Sequence, residues 1–105
     1  MDRIDRTYVK SVLPYRDPLG HKGTFGKVLC VCGSVGYTGA PVFASRAAVR
    51  TGSGLVFLAV PESIWQVVAV KSDEAMPFPL PADETGGFSE KAVDIIEGRW
   101  QGCDV

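Results

Sequence analysis

Three glycines spaced three apart, Gly33, Gly36 and Gly39, stand between a run of apolar residues and a helix-forming segment that opens with Ala40 and Pro41. Main-chain N–H groups exposed at such a strand-to-helix turn stabilise an anion through unpaired donors and the helix dipole, so the stretch reads as a cradle for a phosphorylated ligand. Ser34 and Tyr37 sit inside the loop, and His21 and Lys22 precede the strand. Lys22 suits a phosphate partner or a solvated turn, and Tyr37 suits ring stacking or packing. His21 reads more simply as a hydrogen-bonded surface residue than as a catalyst. The spacing is neither Gly-x4-Gly-Lys-Ser/Thr nor Gly-x-Gly-x-x-Gly. Ser34 lacks both an evident base and the Gly-x-Ser-x-Gly setting of a nucleophile. Three glycines in a turn also serve purely conformational needs.

The elements that must position this loop are legible as alternating apolar runs and amphipathic stretches. Residues 27–32 form a strand buried on both faces, in which Cys30 and Cys32 share one face and Leu29 and Val31 the other. Pro41 fits the first position of a helix that runs to Val49 or Arg50, stopped by Gly52 and Gly54. A second strand covers 55–60. A second helix runs from Pro61–Glu62 to about Val70, with Ile64, Trp65, Val67 and Val68 as its stripe. The prolines of 75–81 confine that segment to a sheet edge, and Asp83–Gly87 reads as a flexible loop. Ser89 is expected to cap a helix to about Glu97, its apolar positions being Ala92, Val93, Ile95 and Ile96. Upstream, residues 7–13 read as a short helix capped by Thr7 or Asp5, ended by Pro14. Strand and helix in alternation predict an α/β fold with a parallel sheet and flanking helices. Cys103-Asp104-Val105 reads as the start of a further strand, so the expectation is a partial domain or a sheet completed by a partner.

With 105 residues, 46% of them hydrophobic and a net charge of −1, the chain fits one domain, 1–105, and no basic footprint points to nucleic acid. No run approaches the ~18 apolar residues of a membrane helix, and the opening Met-Asp-Arg-Ile-Asp-Arg lacks a signal-peptide core, so a cytoplasmic location is expected. Cys30, Cys32 and Cys103 beside a single histidine, His21, do not make a zinc site and read as reduced thiols.

The block His21-Lys22-Gly23-Thr24-Phe25-Gly26-Lys27-Val28, followed by Gly33-Ser34, Tyr37-Thr38-Gly39-Ala40-Pro41 and Ala47-Ala48-Val49-Arg50-Thr51-Gly52-Ser53-Gly54-Leu55-Val56, resembles the ATP- or ADP-dependent NAD(P)H-hydrate dehydratases of the ribokinase-like group. Pro61-Glu62 and Glu74-Ala75-Met76 are similar to that family too. The resemblance implies a repair enzyme that phosphorylates the hydroxyl of hydrated NADH or NADPH and eliminates phosphate, with ATP or ADP and Mg2+ as cofactors. It places Gly39 and Ala40 against the hydrated nicotinamide nucleotide, Tyr37 and Ser34 close by, and the His21-Lys22-Gly23 turn near the same pocket. The family's Gly-x-Gly-Asp segment, which carries its catalytic aspartate, has no match after residue 54, so the resemblance implies that residues 1–105 are the N-terminal part of a single ribokinase-like (Rossmann-like) three-layer α/β domain. No catalytic or metal-binding residue is therefore assigned, and the 105-residue chain alone is expected to be inactive. A homo-oligomer is expected. Two other readings stand beside it: a non-enzymatic α/β module that self-associates through its open edge, and a Rossmann-type nucleotide binder with Glu62 on a ribose.

Overall fold

The computed structural model describes residues 3–105. Three parallel strands, β1 (Lys27–Val31), β2 (Leu55–Pro61) and β3 (Met76–Leu80), lie in the order β1-β2-β3. Helix α2 (Gly39–Arg50) joins the first pair, and a 3-10 turn (Glu62–Ile64) with α3 (Trp65–Lys71) joins the second. Val42, Leu58, Val60, Ile64 and Val68 pack together beneath α2 and α3, with Cys30 and Cys32 alongside. The opposite sheet face packs Ala59 and Leu80 against Ala92 of α4 (Ala92–Trp100), with Leu29, Phe78 and Ile96 around them. The sheet is therefore covered on both faces, as continuous apolar strands require. Each fully buried side chain of the size of Leu58 or Val68 contributes about 1.5–3 kcal/mol of transfer free energy.

Edge strand β3 tolerates its prolines for a geometric reason. Pro77 and Pro79 alternate, so both missing donors fall on the edge away from β2, where no ladder bond is lost. The Pro77 carbonyl on that edge is satisfied by the Trp65 indole N–H at 3.1 Å. Helix α1 (Arg6–Val12) is capped by Asp5, whose carboxylate accepts the Tyr8 N–H at 2.9 Å, and no residue of it is buried. That exposed segment explains a radius of gyration of 15.6 Å, above the ~13 Å usual near this length.

Several expectations shift. Helix α2 begins at Gly39, so Pro41 is its third residue. Its missing N–H still costs nothing, because the first turn has no internal acceptors for those groups. Ser89 does not cap α4 with its side chain. Its carbonyl accepts the Ala92 N–H at 3.0 Å, while its hydroxyl is buried with no partner among the described residues. Of the stripe expected on α4, Ala92 is buried but Val93 and Ile95 are largely exposed, as is Val67 of α3. The 83–87 segment is a tightly hydrogen-bonded turn.

Candidate functional site

The loop from Cys32 to Thr38 leaves the carboxyl end of β1 and enters α2. Gly33 holds a φ of 100°, and a Cβ there would stand 2.7 Å from Ile64 Cδ1 and 3.1 Å from Pro41 Cγ. Only glycine lets the chain turn at this φ while packed that closely. The Tyr37 N–H donates to the Ser34 carbonyl at 2.9 Å, and the Tyr37 ring is 70% exposed. Thr38 occupies the cap position of α2 without a side-chain cap bond, and the first turn carries no acidic residue. Among the described residues, neither the Gly39 nor the Ala40 N–H donates to any acceptor. The positive end of a 12-residue helix is thus uncompensated among the described residues, with Gly39 half-buried and Ala40 exposed.

One carbonyl laces this loop to its neighbours. Gly86 O accepts the Val35 N–H at 3.2 Å and the Ser63 hydroxyl at 2.9 Å, joining the segments that follow all three strands. Gly86 has a φ of 84°, and a Cβ there would collide with Val35 Cγ2. Its turn is held by Asp83, whose Oδ1 accepts the Thr85 N–H at 2.9 Å, the Thr85 hydroxyl at 2.7 Å and the Gly87 N–H at 3.0 Å. These bonds, the Thr85 hydroxyl first, hold the Asp83 carboxyl below the usual range. Glu62 accepts the Ala82 N–H at 3.4 Å, so its carboxylate is turned toward the same segment. Asp83 and Gly86, whose bonds tie these segments together, were not singled out from the sequence. The available signal was Asp83-Glu84-Thr85-Gly86-Gly87, an acid followed by residues that close a side-chain-to-backbone turn.

The predicted site residues divide into two groups. Ser34, Tyr37, Gly39 and Ala40 gather at the carboxyl end of β1. His21 and Lys22 lie at its amino end. There His21 Nδ1 accepts the Gly23 N–H at 3.1 Å, capping the 3-10 turn Lys22–Phe25. The Lys22 carbonyl is pressed against Gly54, where a Cβ would fall on it. The five residues of β1 separate the groups, and at ~3.3 Å per residue that is about 16 Å. Within this chain the His21-Lys22-Gly23 turn and the glycine loop do not share a pocket. The chain's hollows of about 290 and 330 Å³ also lie away from residues 33–41. The first runs between α2 and the start of β3, beside Arg46, Arg50 and Lys71. The second is apolar and lies along β1 and α4. Burial raises the thiol pKa of Cys30, and burial followed by the nearby Cys30 raises that of Cys32, so neither is an activated nucleophile.

The far edge of β1 is also paired. Val105 N–H donates to Lys27 O at 3.3 Å, and Leu29 N–H donates to Val105 O at 2.8 Å. This is the bonding pattern of a parallel pair. The Asp104 carboxylate closes it by accepting the Lys27 N–H at 2.8 Å. The chain therefore leaves β1 toward β2 on one side and returns to its other side through α4, on the opposite face. Ligands of open parallel sheets bind at such a reversal, outside the carboxyl ends of the strands. The fold is an α/β domain of three parallel strands with flanking helices, and the glycine loop stands at this reversal.

Comparison with known proteins gives the family. Residues 28–97 match the NAD(P)H-hydrate dehydratase family model. The chain is 42% identical over 102 residues to the bifunctional NAD(P)H-hydrate repair enzyme of Moorella thermoacetica, an overlap of 97% of this chain and 19% of that protein. It is 42% identical over 90 residues to the ADP-dependent (S)-NAD(P)H-hydrate dehydratase of Cenarchaeum symbiosum, covering 84% of this chain and 31% of that one. The crystal structure of the ADP/ATP-dependent NAD(P)H-hydrate dehydratase from Bacillus subtilis, co-crystallised with ATP/Mg2+, superposes with a TM-score of 0.60 and 32% identity over 70% of this chain and 26% of that one. The chain belongs to the NAD(P)H-hydrate dehydratase family. It spans a minority of the length of each of these relatives.

Proposed function

We propose that this chain supplies part of the substrate site of a nucleotide-dependent NAD(P)H-hydrate dehydratase, and that its glycine loop holds hydrated NADH or NADPH. The carrying observation is the pair of N–H groups at Gly39 and Ala40, unpartnered among the described residues, at the carboxyl end of β1. Two adjacent donors at a helix N-terminus match the pyrophosphate or carboxamide oxygens of a nicotinamide nucleotide. Tyr37 is exposed beside them and offers a ring for stacking, and Ser34 lies at the loop entrance. His21 and Lys22 could reach the same ligand only from another copy of the chain or from the far end of an extended one.

ATP or ADP and Mg2+ are the proposed cofactors of the whole enzyme, by similarity to the ADP-dependent relative and to the neighbour co-crystallised with ATP/Mg2+. Among the described residues no group of three or more His, Cys, Asp or Glu is placed to hold a metal ion. Phosphoryl transfer rests on positioned charge and a base, and none of the described residues is assigned that role. The chain alone is expected to bind substrate without turning it over. Self-association and a cytoplasmic setting belong to the same proposal. The former is favoured by the apolar groove of Leu29, Val31, Ile96 and Trp100 along β1. No helix of the described residues is long and apolar enough to cross a membrane.

Calorimetric titration of the purified chain with NADPH hydrate, beside an assay with ATP or ADP and Mg2+, tests the reading. Saturable binding without turnover is expected. Absence of binding overturns the substrate-site assignment, and turnover overturns the assignment of no catalytic residue.

A further inference from the structure

The Asp83 carboxylate touches nothing in the candidate site, yet the site's geometry leads back to it. Its Oδ1 gathers three donors within the turn 83–87. The main chain adds two more bonds, Asp83 N–H to Gly87 O at 2.9 Å and Gly86 N–H to Asp83 O at 3.1 Å. Together they fix Gly86 at a φ of 84° and point its carbonyl at Val35 N–H and Ser63 Oγ. Val35 lies four residues before Gly39, and only Gly36, Tyr37 and Thr38 intervene. Gly36 has a φ of 84° and a Cβ there would meet no neighbour; within the loop only the Tyr37 N–H to Ser34 O bond spans it, and the Gly86 carbonyl is its tie to another segment. Gly86 itself is buried, whereas Asp83 and Thr85 are exposed.

We propose that Asp83 is a positioning residue for the glycine-rich loop. Through the Thr85–Gly86 turn it holds the Gly86 carbonyl on Val35 N–H, and so sets where the Gly39 and Ala40 amides point. The proposal rests on the reading that those amides bind the hydrated nicotinamide nucleotide. The chemistry gives a graded expectation. Asparagine at 83 keeps an Oδ1 that accepts from the Thr85 and Gly87 amides. Alanine removes the acceptor and leaves three donors unheld. Because Asp83 is exposed, neither replacement opens a cavity.

Amide hydrogen exchange of Val35 and calorimetric affinity for NADPH hydrate, measured on the wild-type chain and on Asp83→Ala and Asp83→Asn, decide it. Loss of a hydrogen bond to a charged group corresponds to roughly tenfold, so Asp83→Ala is expected to speed Val35 exchange and weaken binding by about that factor. Asp83→Asn is expected to restore most of both. A thermal melt confirms that each variant is folded, and Gly86→Ala, which drives a Cβ into Val35, gives a second perturbation of the same contact. Unchanged Val35 exchange in Asp83→Ala overturns the proposal. So does faster exchange with unaltered affinity, which would leave Asp83 a merely structural residue. A wild-type chain that fails to bind refutes the substrate-site reading instead, and the exchange data then decide alone whether Asp83 sets the loop.

Discussion

Replacing Ala40 with aspartate separates the ligand role of the α2 N-terminus from its folding role, because the two respond with opposite sign. Ala40 is exposed in the first turn of a 12-residue helix whose opening turn has no acid and no side-chain cap. A carboxylate there interacts favourably with the helix dipole by about 0.3–1 kcal/mol at low salt. For a domain of roughly this size that corresponds to a rise in Tm of a few degrees, at about 4–8 °C per kcal/mol. The same carboxylate sits over the Gly39 and Ala40 amides and repels any phosphate approaching them. In an effective dielectric near 20, two unit charges ~6 Å apart repel by about 3 kcal/mol before salt screening, so affinity for NADPH hydrate should fall by one to two orders of magnitude. Differential scanning calorimetry and isothermal titration on the same preparation read both effects. A variant with a raised Tm and unchanged affinity refutes the reasoning, since the ligand would then be bound elsewhere. A lowered Tm would contradict the account of an uncompensated helix end.

Other expectations follow from single contacts. Gly33→Ala combines a left-handed φ of 100° with a Cβ 2.7 Å from Ile64 Cδ1, and should cost about 2–4 kcal/mol in urea unfolding. Ser89→Ala removes a buried hydroxyl that has no partner among the described residues. Its stability should be unchanged or slightly raised, against the loss of about 1 kcal/mol that a capping serine would show. The Asp83 pKa is lowered by folding, first through the Thr85 hydroxyl. Its contribution is therefore present above the unfolded value of about 3.9 and lost as pH falls through the folded value below it. An acid unfolding curve of Asp83→Asn should accordingly lack part of the wild-type slope in that window.

The strands were legible because Val28–Val31, following Lys27, and Leu55–Pro61 are unbroken apolar runs, which demand cover on both faces whatever the rest of the chain does. The α2 start was legible from Gly39 and Pro41, to within two residues. What was not legible depends on contacts across the fold. The role of Asp83 requires knowing that Gly86 meets Val35, 51 residues earlier in the sequence. Ser89 carries the local signature of a cap, but its hydroxyl ends up buried while backbone bonds start the helix two residues later. His21 and Lys22 stand close in sequence to the glycine loop, yet an extended strand lies between them and carries them to the opposite end of the sheet. Cys103-Asp104-Val105 forms no assigned strand, yet Asp104 and Val105 bond Lys27 and Leu29 along the edge of β1.

The most direct measurement is a two-dimensional amide NMR titration of the isotope-labelled chain with NADPH hydrate. The account predicts saturable shifts centred on Gly36, Tyr37, Gly39 and Ala40, with Val35 following. Shifts confined to the Arg46, Arg50 and Lys71 cavity at the other end of the sheet, with Gly39 and Ala40 unmoved, would contradict it.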